Sequence, residues 1–249
     1  MNKKFVIEYA KIIGISLLIF SASVCSSLVQ QALDRIKTET LQVSTTVNDN
    51  NCTVIIDAGH GGEDSGAVGL HGSYEKHINL AISKQLDALF SLTDIKSEMT
   101  RTDDVLLYKN GEEGRKKRSD ILNRVKFADD FKKPVFVSVH QNKFPTEKYN
   151  GFQVYYSKNN DNSKILANML QENVVANLQP QNNRKIKEAG KNILLLNRLN
   201  CPAVLAECGF ISNSKEELML NNPVYQKKLS FCMFSSIVSF VENARNERT

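Results

Sequence analysis

Residues 54–69, VIIDAGHGGEDSGAVG, carry the chain out of an apolar run into a turn that neither helix nor strand can continue. Val54, Ile55 and Ile56 read as a buried strand, and Gly59, Gly61 and Gly62 stop it. Downstream, apolar runs at 95–100, 134–139, 151–156 and 203–207 read as further strands. Helical spacing separates them, over 75–92 (Ile78, Ala81, Ile82, Leu86, Leu89), 115–131, 161–178 and 222–243. Such alternation predicts an α/β fold, a mostly parallel or mixed twisted sheet flanked by helices, in a single domain over 52–245.

The first fifty residues follow a different rule. Lys3, Lys4 and Lys11 precede IIGISLLIFSASV, and no charge intervenes between Lys11 and Asp34. A positive stretch followed by an apolar one is the pattern of a signal peptide or signal anchor, assigned to 1–24, and it predicts export across the membrane. Val24 before Cys25 argues against a lipoprotein signal, which needs a very small residue there. Residues 25–51, rich in Gln, Thr and Asn, read as a linker. Of five cysteines, none forms a CxxC pair; Cys208 and Cys232 read as buried thiols, and a Cys52–Cys201 bridge stays open. The net charge of +5 suits an anionic polymer such as a cell wall, and no basic run interleaved with aromatics points to nucleic acid.

In α/β sheets, sites gather at the carboxyl ends of the strands. Only four histidines occur, and two stand at such ends: His60 after the first strand and His140 after Val135–Val139. Glu207 closes Ala203–Ala206, and Glu75 opens the first long helix. Two imidazoles and a carboxylate are a plausible zinc triad with a fourth position open, and Glu207 is then a candidate general base. Glu63 and Asp64 compete with Glu75 for the carboxylate position, and a phosphate-binding glycine loop is the alternative for the turn itself. His71, in a glycine-flanked loop, and His77, on the exposed side of a helix start, read as bystanders. Arg101, in TRTDD, is a candidate for a substrate carboxylate or for pairing with Asp103 or Asp104; Arg124 and Asn142 are candidates for supporting the site. Gly209 reads as relieving crowding beside Glu207.

DAGHGGEDSGAVG, SYEKHINLAI, MTRTDD, VSVHQN and PAVLAECGFISNSKEE, taken in order, resemble the successive motifs of the zinc-dependent N-acetylmuramoyl-L-alanine amidases of the amidase_3 type. HQN, GFQVYYS and ECGFISN resemble its CwlD-like branch, which acts on spore-cortex peptidoglycan. The resemblance implies one Zn2+ on His60, Glu75 and His140, with Glu207 as the catalytic residue. It implies hydrolysis of the bond between N-acetylmuramic acid and L-alanine on peptidoglycan glycan strands with stem peptides. It also implies a muramic acid deacetylase that converts the product to muramic-δ-lactam, an accessory protein aiding zinc retention, and action in the forespore intermembrane space. A zinc carboxypeptidase uses similar groups, but its first two ligands follow an HxxE spacing, which would enlist Glu63. A catalytically silent wall-binding protein is the alternative outside enzymology.

Overall fold

The computed structural model describes residues 52–108, 111 and 113–246. The expected leader 1–24 and linker 25–51 lie outside the described residues. Six strands form one sheet: β1 (Thr53–Ala58), β2 (Lys96–Met99), β3 (Pro134–Asn142), β4 (Gln153–Tyr156), β5 (Lys187–Glu188) and β6 (Ala203–Phe210). Their order is β2-β1-β3-β6-β4-β5. The pairs β1–β2, β1–β3, β3–β6 and β4–β5 are parallel, whereas β4 runs antiparallel to β6. The helices are α1 (Glu75–Phe90), α2 (Lys116–Asp129), α3 (Asn162–Asn177), α4 (Ser214–Leu220) and α5 (Pro223–Asn246), with a 3-10 turn over Glu113–Arg115.

Every residue of β1 is buried, which requires cover on both faces of the sheet. Alternation divides the cover. Val54 and Ile56 face α1, α3 and α5 through Ile82, Leu86, Leu170 and Met233. Ile55, Phe136 and Leu205 face the other way, toward Ala128 of α2 and the segment carrying Leu195, Leu196 and Leu199. The four described cysteines form no disulfide, so the Cys52–Cys201 pairing is not made. Cys208 and Cys232 are buried thiols. Among the described residues, no helix is long and apolar enough to cross a membrane.

Two strands run further than their apolar cores suggest. β3 continues through Asn142 and β6 through Phe210, so His140 and Glu207 sit opposite one another inside the paired ladder rather than beyond it. Partners in register project to the same face, so this pairing puts an imidazole beside a carboxylate. Just after them β6 carries one extra residue, because His140 pairs with Glu207 but Asn142 pairs with Phe210. The bulge turns Phe210 to the same face as Glu207, as bulges beside active sites do.

Candidate active site

The turn after β1 is held from both sides. His60 has φ 61°, a backbone conformation that side-chain-bearing residues rarely adopt. Gly61 and Asp64 exchange backbone hydrogen bonds of 3.0 Å each across the turn. Two buried guanidiniums then secure the three carbonyls around His60. Arg124 donates to Ala58 O at 2.8 Å and His60 O at 2.9 Å, and Arg101 donates to Ala58 O at 2.8 Å and Gly59 O at 3.0 Å. Arg124 also pairs with Asp57 at 2.5 Å and Asp120 at 2.8 Å. Asp57 is fully buried and its carboxylate lies low: burial would raise it, but Arg124, Ser138 and Thr100 outweigh that. Of the two readings of Arg101, the structure shows contacts within the chain, including Asp103 O at 2.9 Å, and Arg124 supports the site from beneath. Both side chains are buried among internal acceptors and support the turn.

Two of the glycines make room for the neighbouring side chains. A Cβ on Gly59 would stand 2.2 Å from His140 Nε2. A Cβ on Gly66 would stand 2.6 Å from Glu75 Oε2 and 2.7 Å from His60 Cδ2. No real contact is that short, so the turn is glycine-rich because three functional side chains close over it.

His60, Glu75 and His140 converge, each offering one ligand atom within 4.8 Å of the others, a set able to hold a metal ion. Glu75 Oε1 lies 3.3 Å from His60 Nε2 and 2.9 Å from His140 Nδ1. That carboxylate also accepts from Gln141 N at 3.0 Å and, through Oε2, from Ala67 N at 2.8 Å. It sits in the first turn of α1, where the helix dipole favours negative charge. Burial pushes its pKa up, but His140 and His60 carry it well below the ordinary carboxylate range. On the far side of His60, Asp64 Oδ2 lies 2.8 Å from Nδ1 and fixes which nitrogen faces inward. Burial alone would lower the His60 pKa; Glu75 and Asp64 raise it to about 9.

Glu207 completes the group from the opposite strand. Its Oε2 is shielded from solvent and has no hydrogen-bond partner among the described residues. Burial, and then the charge of Glu75, pushes its pKa up to about 8. A shielded carboxyl with an unoccupied oxygen beside two imidazoles is chemically poised to take and return a proton.

The remaining candidates fall elsewhere. Glu63 is exposed and pairs with Lys116 at 2.7 Å, so the HxxE spacing is not used. Asp64 contacts His60 rather than joining the three converging side chains. His71 meets Ser214 at 2.9 Å, and exposed His77 lies 3.5 Å from Asp104. Asn142 is half-buried at the end of β3. Gly209 packs against Leu220 and Glu216, not beside Glu207 as expected. Sequence reasoning missed the orienting role of Asp64 and the whole Asp57–Arg124–Asp120 cluster. The signal available for the latter was an aspartate inside an otherwise apolar strand.

Residues 54–239 match the Amidase_3 family, described as N-acetylmuramoyl-L-alanine amidase. The germination-specific N-acetylmuramoyl-L-alanine amidase of Bacillus subtilis (strain 168) is 32% identical over 190 residues, covering 75% of this chain and 78% of its own. The solved structure of the CwlD amidase from Clostridioides difficile, in complex with the GerS lipoprotein, is similar at 36% identity and a TM-score of 0.72. That match covers 76% of this chain and 98% of the other. The catalytic domain of CwlV from Bacillus (Paenibacillus) polymyxa var. colistinus is 31% identical with a TM-score of 0.65, covering 76% and 98%. With the family's fold and a matched region that spans the whole sheet, the chain belongs to the amidase_3 family and is a CwlD-like N-acetylmuramoyl-L-alanine amidase.

Proposed function

We propose that the chain hydrolyses the amide between N-acetylmuramic acid and L-alanine in spore-cortex peptidoglycan, outside the cytoplasm, with one zinc ion. The observation that carries this reading is the convergence of His60, Glu75 and His140 beside the unpartnered Oε2 of Glu207. Two imidazoles and one carboxylate with a position left open are the donor set of catalytic zinc sites. Zinc, when bound, supplies the Lewis acidity that makes water an effective nucleophile at neutral pH. His60 presents Nε2 to it, because Nδ1 is taken by Asp64. His140 presents Nδ1, because Nε2 packs over Gly59. Glu75, locked by two backbone amides, closes the set. Glu207 takes the proton of the attacking water at Oε2 and returns it to the amine of L-alanine as the amide breaks. Asn142, half-buried at the end of β3, is the remaining candidate for a substrate contact.

The cortex assignment is supported by the germination-specific relative, and the accessory partner by the lipoprotein complex of the clostridial neighbour. In this reading, peptide-free muramic acid passes to a deacetylase that forms muramic-δ-lactam, and a partner protein aids zinc retention. The test has two arms. Purified protein with and without zinc is incubated with peptidoglycan, and new amino termini are measured; release without dependence on metal would refute the zinc chemistry. Muropeptides from spores lacking the protein should lack muramic-δ-lactam; an unchanged lactam content would refute the cortex role.

A further inference from the structure

One wall of the site carries a cation that the chemistry above does not use. Arg184 lies on the segment between α3 and β5 and is half-buried. Its guanidinium stacks over Phe210, 4.6 Å from the ring centroid. Nε and Nη2 both donate to a single acceptor, Gln153 Oε1, at 3.2 and 2.8 Å. Gln153 is itself buried, and its Nε2 donates to Lys185 O at 2.7 Å, which fixes the amide so that Oε1 faces Arg184. These contacts hold the guanidinium plane in place and leave Nη1 without a hydrogen bond among the described residues. Nor does any carboxylate within ion-pair distance neutralise Arg184 among them.

The sheet puts this cation beside the chemistry. Gln153 pairs with Glu207 across β4 and β6, so the two side chains share a face. Phe210 reaches the same face only through the bulge. The charge of Arg184 acts on Glu207, drawing its pKa down against burial. Its charge is felt by Glu207 and Glu216, but neither pairs with it directly, so a stacked guanidinium with a free edge can still meet a carboxylate that arrives from outside. The scissile amide carries no charge, so the anion must lie elsewhere on the substrate. Of the carboxylates a stem peptide carries, the nearest to the scissile amide is on the residue that follows L-alanine, where a glutamate carboxylate is free in one form and amidated in the other.

We propose that Arg184 is a substrate-binding residue for the stem-peptide carboxylate next to L-alanine, making the enzyme selective for the acid form over the carboxamide. The proposal rests on the assignment of Glu207 to the reacting centre.

The experiment compares N-acetylmuramoyl-L-alanyl-D-glutamate with its D-isoglutamine counterpart, both capped at the γ-carboxyl as the N-methylamide, on zinc-loaded wild type and on Arg184→Gln and Arg184→Lys. Wild type should favour the acid by about 10- to 100-fold in kcat/KM, mainly through KM, the range of a hydrogen bond to a charged group. Arg184→Gln should lose that preference because its kcat/KM on the acid substrate falls about 10- to 100-fold, toward the value on the carboxamide, and Arg184→Lys should recover part of the preference. Binding of L-alanyl-D-glutamate and L-alanyl-D-isoglutamine with the same γ-N-methylamide cap, read by calorimetry on the same proteins, should show the same ordering without turnover. Equal losses on both substrates, or a wild type that binds both dipeptides alike, would overturn the proposal. An inactive wild type that still prefers the acid dipeptide would instead count against the role given to Glu207.

Discussion

At the scale of single residues, Glu207 and Glu75 show how position divides two identical side chains. Glu75 is held ionised by two imidazoles and backbone amides, whereas Glu207 is held toward its neutral form by burial and by Glu75. Glu207→Gln should lower turnover about 10²–10⁴-fold while keeping the metal, because the amide cannot accept the proton. The same variant reports on the metal-free fold. A carboxyl whose folded pKa is about 8, against an ordinary 4.5, costs stability as pH rises through that interval and not below it. Metal-free Glu207→Gln should therefore match wild type near pH 4.5 and exceed it by about 2–4 kcal/mol above pH 8, measured by urea denaturation at both ends. The ligand assignment is tested by a pair. Glu75→Ala should lose zinc and activity together, and Glu63→Ala, which removes an exposed carboxylate paired with Lys116, should keep both. Elemental analysis after dialysis decides it, and an empty Glu63→Ala would overturn the choice of Glu75.

Elements explain what could be read in advance and what could not. The strand and helix cores announce themselves because burial on both sheet faces demands runs of apolar residues, and His60, Glu75, His140 and Glu207 stand where those runs end. The extension of β6 through Cys208-Gly209-Phe210 is hidden, since a bulge breaks the alternation that marks a strand. α4 is hidden for another reason. Its Glu216 and Glu217 look like surface charges, yet both are buried, accepting backbone amides from Gly151 and Phe210 and from His71 and Ser73. The acceptors of Arg101 and Arg124 were hidden for the same cause: long-range carbonyl partners leave no periodic trace in a sequence. Removing one partner of a buried ion pair strands the other. Arg124→Ala should thus cost about 3–5 kcal/mol by leaving Asp57 unpaired, with a fall in melting temperature of roughly 6–20 °C for a domain of this size. A loss under 1 kcal/mol would show that water replaces the guanidinium and that the turn is not held by it.

For the whole molecule, the proposed zinc chemistry makes folding and metal uptake one equilibrium, because His60, Glu75 and His140 come from the turn after β1, from α1 and from β3 and meet only when these pack. Zinc at a thousand times its dissociation constant should add about 4 kcal/mol to stability, and chelation should remove it. His60 must give up its proton to bind, and with a folded pKa near 9 it holds that proton through neutral pH. The stabilisation by zinc should therefore grow with pH up to about 9, and calorimetry in buffers of different ionisation enthalpy should find about one proton released near pH 7.5. Uptake that releases none would mean that His60 is already neutral.

The reversal of β4 has a consequence for how such a molecule can change. All three converging side chains lie between residues 60 and 140, while Glu207, Gln153, Phe210 and Arg184 belong to the later part of the chain. The proposed metal-holding residues and the residues proposed to choose and cut the substrate are thus written in separate stretches of sequence, joined through the β3–β6 ladder. Drift in the later stretch can swap one glycopeptide for another, or silence cutting altogether, and still leave a folded, loaded protein. An inert wall binder lies one substitution from the enzyme, and metal content alone will never tell the two apart.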